Sequence, residues 1–336
     1  MPFQQRFKVY DQLKALSKNA QQCCKKVRKQ MLKQVKILSP ACIFFTLLFI
    51  NGCSGQIASL YSDNNKESLI NSNENSLKEY YAQLEKKKLS MGLLRQDAGG
   101  SDTPFDEEDI IAAFEQLAFY NEYQVDENQL LPSSEPVSLG KWNSEINIST
   151  RFGDSVNFEQ KRNDLKEINE LLAVLSRVSK HKMRISENDV NMFVIVGNQK
   201  EIVNLTGEIG KQLFEFDPKR IPIVAQLPKE IHCMAMTSVS SHKNSEIESA
   251  LVIIRNELPK VMRKACFHEE ISQTLGLTND SHLARPSIFN DNDEFATLTE
   301  FDKILIKILY DKRLKTGISR KEASKLVKQI VNEIGA

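Results

Sequence analysis

Residues 269–280 read Glu-Glu-Ile-Ser-Gln-Thr-Leu-Gly-Leu-Thr-Asn-Asp, and their spacing predicts how the chain folds around them. Glu269 and Gln273 are four residues apart, which places them on one face of a helix. Gly276 is expected to end that helix, because glycine adopts backbone angles that strain other residues. The stretch therefore predicts a helix, a glycine turn and a return of the chain that brings Asn279 back toward the helix.

This layout resembles the zinc helix of the metzincin peptidases, whose pattern is His-Glu-x-x-His-x-x-Gly-x-x-His. The three histidine positions hold Glu269, Gln273 and Asn279. Glu270 occupies the position of the catalytic base. A register that begins at His268 has no glycine at the required place, because Leu275 stands there. Gly276 therefore favours the register that begins at Glu269.

The residue types at these positions argue against a zinc cofactor. Zinc in proteins favours thiolate and imidazole, whereas carboxylate and amide oxygens suit Ca²⁺, Mg²⁺ or Mn²⁺. We therefore predict no zinc site, and we keep as an alternative a hard divalent cation bound by Glu269, Glu270, Asn279 and Asp280. Two further interpretations are a hydrogen-bonded polar knot at the helix end and Glu270 acting as a general base without a metal.

The sequence after this motif also resembles a metzincin. Residues 287–290 lie where that fold carries its methionine turn, and Phe289 stands at the methionine position. Residues 298–310 predict the closing helix, with Thr299 as its N-cap. Residues 319–334 predict one more helix that begins with a capping box.

The preceding sequence predicts a mixed α/β (α+β) domain. Helical spacing of apolar residues stands out at 106–119, 164–178 and 200–214. Short β-rich segments lie at 146–148, 191–196, 234–239 and 250–254. Pro259 is expected in the first turn of the motif helix. A long helix, several strands and then the motif helix form the order of a metzincin-like (zincin-like) domain.

The N-terminal region predicts export. Residues 1–52 carry ten basic side chains and one acidic one, whereas the whole chain has a net charge of +1. The remaining chain is mildly acidic, which argues against nucleic acid as a partner. The apolar run at 41–50 precedes Asn-Gly-Cys, which predicts a bacterial lipoprotein signal peptide with Cys53 as the lipidated residue. A transmembrane anchor, the alternative, needs about 20 apolar residues.

These features give the predicted organisation of the chain. Residues 1–52 form the signal peptide, and 1–30 are an over-extended start if Met31 is the true initiator. Cys53, modified with acyl chains such as palmitate, begins a disordered tether at 53–104, because this composition buries little apolar surface. Within the tether, residues 77–85 predict a short helix. The metzincin-like domain follows at 105–318, and a C-terminal helix at 319–336. The position after the lipidated cysteine is Ser54 and not Asp, and the resemblance to enterobacterial lipoproteins therefore implies a periplasm-facing protein on the outer membrane.

Two cysteines, Cys233 and Cys266, remain in the predicted domain. In an oxidising compartment they predict a disulfide, which stabilises a domain by about 3 kcal/mol for a loop of this size. Two buried free thiols are the alternative.

Together these segments resemble a bacterial family catalogued as domain of unknown function 2927. The resemblance covers about 105–318 and implies a secreted or lipid-anchored protein with a metzincin-like fold, without an assigned activity. It rests on residues 114–123, Trp142, Cys233, Cys266, 269–280, 287–291 and 298–313.

The sequence leaves three functional hypotheses. The leading one is a non-catalytic envelope lipoprotein, a pseudo-metallopeptidase whose former substrate groove binds a peptide, a glycan or a partner protein. The second is an envelope hydrolase that uses Glu270 as a general base, either without a metal or with an oxygen-ligated cation. The third is a structural lipoprotein in which the motif only stabilises the fold.

Overall fold

The computed structural model describes residues 62–126, 129–133, 135–213, 217–218, 220–240 and 244–335. The predicted signal peptide, Cys53 and both start sites lie outside these ranges. Contacts within the chain divide it into two units, residues 1–73 and residues 74–336. Among the described residues we find no helix whose length and hydropathy would let it cross a bilayer.

The described part of the chain contains eight helices and seven strands. The helices are α1 (Ser62–Ser90), α2 (Glu107–Ala118), α3 (Phe158–Ser179), α4 (Gln199–Ile209), α5 (Arg220–Ala225), α6 (Lys260–Gln273), α7 (Glu300–Leu309) and α8 (Arg320–Ile334). The strands are β1 (Tyr123–Asp126), β2 (Gln129–Pro132), β3 (Ile146–Phe152), β4 (Met183–Ile185), β5 (Met192–Gly197), β6 (Cys233–Val239) and β7 (Ile247–Arg255).

A five-stranded mixed sheet in the order β4-β3-β5-β7-β6 forms the centre of the domain. Neighbouring strands are parallel except β6, which lies antiparallel to β7 at one edge. All six residues of β5 are buried, because helices cover both faces of the sheet. Met192 and Val194 pack into the larger core with α3, α6 and α7, and Phe193 packs into the smaller core with α4. The predicted mixed α/β class is therefore confirmed.

Local sequence signals explain the helix ends. Asp106, Thr299 and Ser319 each form a capping box that begins α2, α7 and α8. The larger predicted helices and strands are confirmed, although α3 begins at Phe158 and α4 ends at Ile209. The short elements β1, β2, β4 and α5 were not predicted. They have three to six residues each, too few for a period of apolar residues to stand out.

The structure confirms the short helix predicted at 77–85, and the prediction that the rest of residues 74–104 is a disordered tether is wrong. Helix α1 continues to Ser90, and its Tyr81 is fully buried against the domain. Leu94 is also buried, and Arg95 forms a parallel bridge with Phe295. A few large side chains and backbone hydrogen bonds order this segment, although its average composition is polar. Residues 62–73 form the first part of α1, and residues 53–61 lie outside the described part of the chain.

Candidate functional site

The motif residues lie at the end of α6, beside the edge strand β6. Pro259 precedes the first helical residue as the N-cap. A disulfide joins Cys266 of α6 to Cys233 of β6, with a Cα–Cα distance of 5.9 Å. This bond fixes the helix face that carries Glu269 and Glu270 against the edge of the sheet.

The turn after α6 depends on Gly276. Its φ is +124°, and a Cβ at this position would lie 2.1 Å from the carbonyl oxygen of Gly140. The indole Nε1 of Trp142 donates to the Thr274 carbonyl at 2.7 Å, and the Tyr310 hydroxyl donates to the Leu275 carbonyl at 3.2 Å. The turn is therefore held tightly on several sides.

The side chains at the three predicted ligand positions differ in their contacts and exposure. Gln273 Nε2 donates to Asp280 Oδ1 at 3.0 Å, which ties the helix end to the following loop. Asn279 Nδ2 donates to the carbonyl of Gln116 in α2 at 3.1 Å. Glu269 is partly exposed on the face beside Glu270. The two amides thus hold the end of α6 to the following loop and to α2, as the polar-knot interpretation predicted.

Carboxylates from three parts of the chain gather around this helix end, and we call them the acidic centre: Glu122, Glu269, Glu270, Asp280 and Asp293. Burial raises the pKa of Glu269 well above its ordinary value. Glu270, Asp293 and Glu122 raise it further by repulsion, and Lys88 opposes them. Within the centre, the charges of Glu269, Glu270 and Asp280 each raise the pKa of another of these three acids.

Glu270 is the most enclosed member of the centre, at 6% exposure. Burial raises its pKa, the charges of Glu122 and Asp280 add to the rise, and a hydrogen bond from the Ala235 backbone in β6 opposes it. Burial likewise raises the pKa of Asp280, although the Gln273 amide partly offsets the effect. A buried acid with a raised pKa can hold a proton or attract a cation at neutral pH.

The geometry of one further group bears on metal binding. Ligand atoms of Cys233, Glu269 and Glu270 lie within 4.8 Å of one another. However, the Cys233 sulfur belongs to the disulfide and is not a thiolate ligand. Two carboxylates remain, a donor set that suits a hard cation better than zinc.

His268, one residue before the motif register, is packed into the structure. Its Nε2 lies 3.0 Å from Glu167 Oε1 of α3, and its Nδ1 accepts from the Leu298 backbone at 3.1 Å. Burial lowers its pKa, which fits an imidazole that accepts through Nδ1 and donates through Nε2. His268 thus joins α6 to α3 and to the start of α7.

Phe289, which the sequence predicted at a methionine-turn position, is fully buried. Its carbonyl accepts from the Ser281 backbone at 2.9 Å, so the loop after Asp280 is held over it. A surface cavity beside α6 has a different lining, which includes Gln160, Asp164 and Arg263. This cavity is separate from the acidic centre.

Sequence reasoning missed three participants in the site. Glu122 follows α2, and its backbone donates to the Thr278 carbonyl at 3.1 Å. Asp293 lies in the loop before α7, and Lys88 Nζ lies 2.7 Å from its carboxylate. An isolated acid in a loop and a lysine in a polar helix carry no pattern that would have separated them from surface charges.

Comparison with known proteins gives a family and no characterised relative. No curated protein matches the chain, and no solved structure matches it. The model of one family matches residues 107–329, which are more than half of the chain. The protein therefore belongs to the family described as Protein of unknown function (DUF2927).

Proposed function

We propose that this protein is a non-catalytic binding protein, with a metzincin-shaped domain that receives a cationic side chain of a partner polypeptide at the acidic centre. The observation that carries the proposal is the crowding of carboxylates around Glu270 and around Glu269, which stands at a predicted zinc-histidine position. Mutual repulsion raises the free energy of such a group when it is ionised, and a bound cation relieves it.

The shape of the domain supports a groove at this place. A long helix, a mixed sheet with an antiparallel edge strand, and a motif helix that ends in a glycine turn follow one another along the chain. On the outer side of β6 the structure describes no further strand. We infer that the surface between β6 and the end of α6 takes the place of a peptidase substrate groove.

Recognition by side chains fits this groove better than addition of a strand to β6. The Ala235 N–H is bonded to Glu270, and the Thr237 carbonyl accepts from Arg220 at 3.1 Å. Since strand addition needs free backbone groups, these two contacts oppose it. A lysine or arginine of a peptide, rather than a neutral glycan, matches the charge.

We place the protein in the bacterial envelope, anchored to the membrane through acyl chains on Cys53 and facing the periplasm at the outer membrane. The signal-like N-terminal sequence supports this location, as does a disulfide, which persists in oxidising compartments. Metabolic labelling with a palmitate analogue should mark the wild type and not Cys53→Ser. Equal labelling of both would contradict the anchor.

Binding of a lysine-bearing peptide by the full chain tests the proposed function. Fluorescence anisotropy should show binding that weakens with salt and falls at least tenfold in Glu269→Gln/Asp280→Asn. The control is Glu159→Gln, an exposed carboxylate on α3 whose loss should leave binding unchanged. Equal affinity in wild type and the double variant would overturn the proposal.

One observation favours a second candidate, an envelope hydrolase. Glu270 is buried and its pKa is raised, which is how proteins prepare a carboxyl group for proton transfer. Cleavage of a peptide library that disappears in Glu270→Gln would favour this candidate. Stoichiometric manganese or zinc that is lost in Glu269→Ala would assign it a metal-dependent form.

A further inference from the structure

The polypeptide before the family-matched region packs beside the motif helix, and its Lys88 reaches the acidic centre at Asp293. Tyr81, Glu85 and Lys88 are spaced i, i+4 and i+7 along α1, so they share one helix face. The Tyr81 hydroxyl donates to the Lys229 carbonyl at 2.8 Å in the loop before β6. The Tyr80 ring lies 4.4 Å from Lys229 Nζ. One end of this face is thus anchored beside the edge strand.

Glu85 caps the motif helix from outside. Its Oε2 accepts from the backbone N–H groups of Val261 and Met262 at 2.9 and 2.8 Å. The first N–H groups of a helix have no partner within the helix, and Pro259 has no polar side chain to supply one. A carboxylate at this positive end is favourable, so α1 completes the N-terminus of α6.

Lys88 supplies the positive charge. Its Nζ lies 2.7 Å from Asp293, and it opposes the raised pKa of Glu269. At 9% exposure the lysine is nearly enclosed. Beyond it, the Leu94 backbone donates to the Asp293 carbonyl at 2.9 Å, which holds the chain along the same loop.

We propose that residues 77–95 are a built-in, displaceable ligand of the acidic centre, which keeps it closed until a partner polypeptide presents an equivalent lysine from an amphipathic helix. This inference rests on the proposed function and names how that site is regulated. The occupant lies outside the family-matched residues 107–329, whereas Glu269 and Glu270 lie inside them.

The contacts that hold this segment are ones that another helix could repeat. Among the α1 side chains that the structure describes, Tyr81 and Lys88 are buried, and Leu77, Tyr80 and Leu84 pack partly buried against the core. Buried ion pairs add little net stability. A tethered ligand has an effective concentration of about millimolar, which a tighter partner can overcome. That partner would carry an aromatic, an acidic and a lysine side chain at the same helical spacing.

The first test is hydrogen exchange on the full chain without any ligand. Lys88→Gln should raise exchange across residues 77–95 at least fivefold and leave α3 and β7 unchanged. Lys87→Gln, which changes an exposed neighbour, should have no such effect. Equal protection of residues 77–95 in both variants and the wild type would overturn the inference.

The second test uses a fluorescent synthetic peptide that copies residues 77–95. It should bind full-length Lys88→Gln at least tenfold more tightly than wild type, because the variant's own segment competes less. A peptide that itself carries Lys88→Gln should lose that affinity.

Results with the two kinds of peptide separate the two proposals. If the lysine-bearing probe binds through Glu269 and Asp280 but the copied peptide binds wild type and Lys88→Gln equally, the built-in ligand is wrong and the function stands. If neither peptide binds a variant whose 77–95 segment has opened, both fail.

Discussion

The carboxylate of Asp302 and the carboxylates of the acidic centre have opposite environments. Asp302 in α7 is fully buried and accepts four hydrogen bonds. Ser287 Oγ donates at 2.5 Å, the Thr299 backbone at 2.8 Å and its hydroxyl at 2.9 Å, and the Ile288 backbone at 3.2 Å. Burial still raises the pKa of Asp302 to about 6, although these donors oppose the rise.

The acidic centre has more carboxylates and far fewer donors. Glu270 receives the Ala235 backbone and Asp280 receives the Gln273 amide, while their other close influences are like charges. A structural carboxylate is thus surrounded by donors that its fold supplies. A carboxylate surrounded by other carboxylates needs a proton from solvent or a cation from another part of the chain or from a partner. For this reason we assign binding to the acidic centre.

The largest expected effect comes from removing the structural carboxylate. Asp302→Ala leaves buried donors of Ser287, Thr299 and Ile288 without their acceptor, so we expect a loss of about 3 to 5 kcal/mol in unfolding free energy. Urea denaturation measures it. The control Asp106→Ala removes an exposed capping carboxylate and should cost about 1 kcal/mol. Similar losses for both would show that Asp302 is less important than its contacts indicate.

A somewhat smaller loss should follow Gly276→Ala, which acts on the acidic centre. The new Cβ meets the Gly140 carbonyl in a left-handed backbone conformation, so the turn must distort. We expect about 3 kcal/mol less unfolding free energy, together with faster hydrogen exchange at Asp280. The control Gly207→Ala lies in α4 with open space around it and should stabilise by about 0.5 to 1 kcal/mol. An unchanged unfolding free energy in Gly276→Ala would mean that the loop can move without loss of stability.

The smallest effect is a change in the pH dependence of stability. The folded pKa values of Glu269, Glu270 and Asp280 are raised, so the folded state holds more protons than the unfolded state above about pH 4. Stability should therefore fall as pH rises through the raised values, by at most about 1.4 kcal/mol per pH unit for each proton. Glu269→Gln/Glu270→Gln should flatten this slope.

Other titratable groups also change the unfolding free energy with pH, so the pH profile of the double variant must be compared with that of the wild type. Asp302 makes the unfolding free energy fall as the pH rises, and this fall ends above its pKa of about 6. The lowered pKa of His268 makes the unfolding free energy rise with pH until about pH 6.5. Lys141, whose pKa is lowered to about 8, makes the unfolding free energy rise above pH 8. The difference between wild type and the double variant from pH 5 to 8 removes these contributions. Parallel pH profiles would contradict the raised pKa values.

The fold was largely predictable because its main elements have strong local patterns. The apolar run in β5, the amphipathic α3 and the capping boxes at Thr299 and Ser319 are visible within single segments. Segment 74–104 was predicted wrongly because its order comes from a few anchors. Tyr81 and Lys88 find their partners at Lys229 and Asp293, more than a hundred residues away.

The sequence by itself determined the α/β class and the glycine turn at Gly276, since both follow from spacing within a few residues. Only the tertiary structure decided that Asn279 turns to α2, that Glu122 and Asp293 join Glu269 and Glu270, and that Lys88 lies among them. Burial and repulsion depend on distances between segments that the order of residues does not contain.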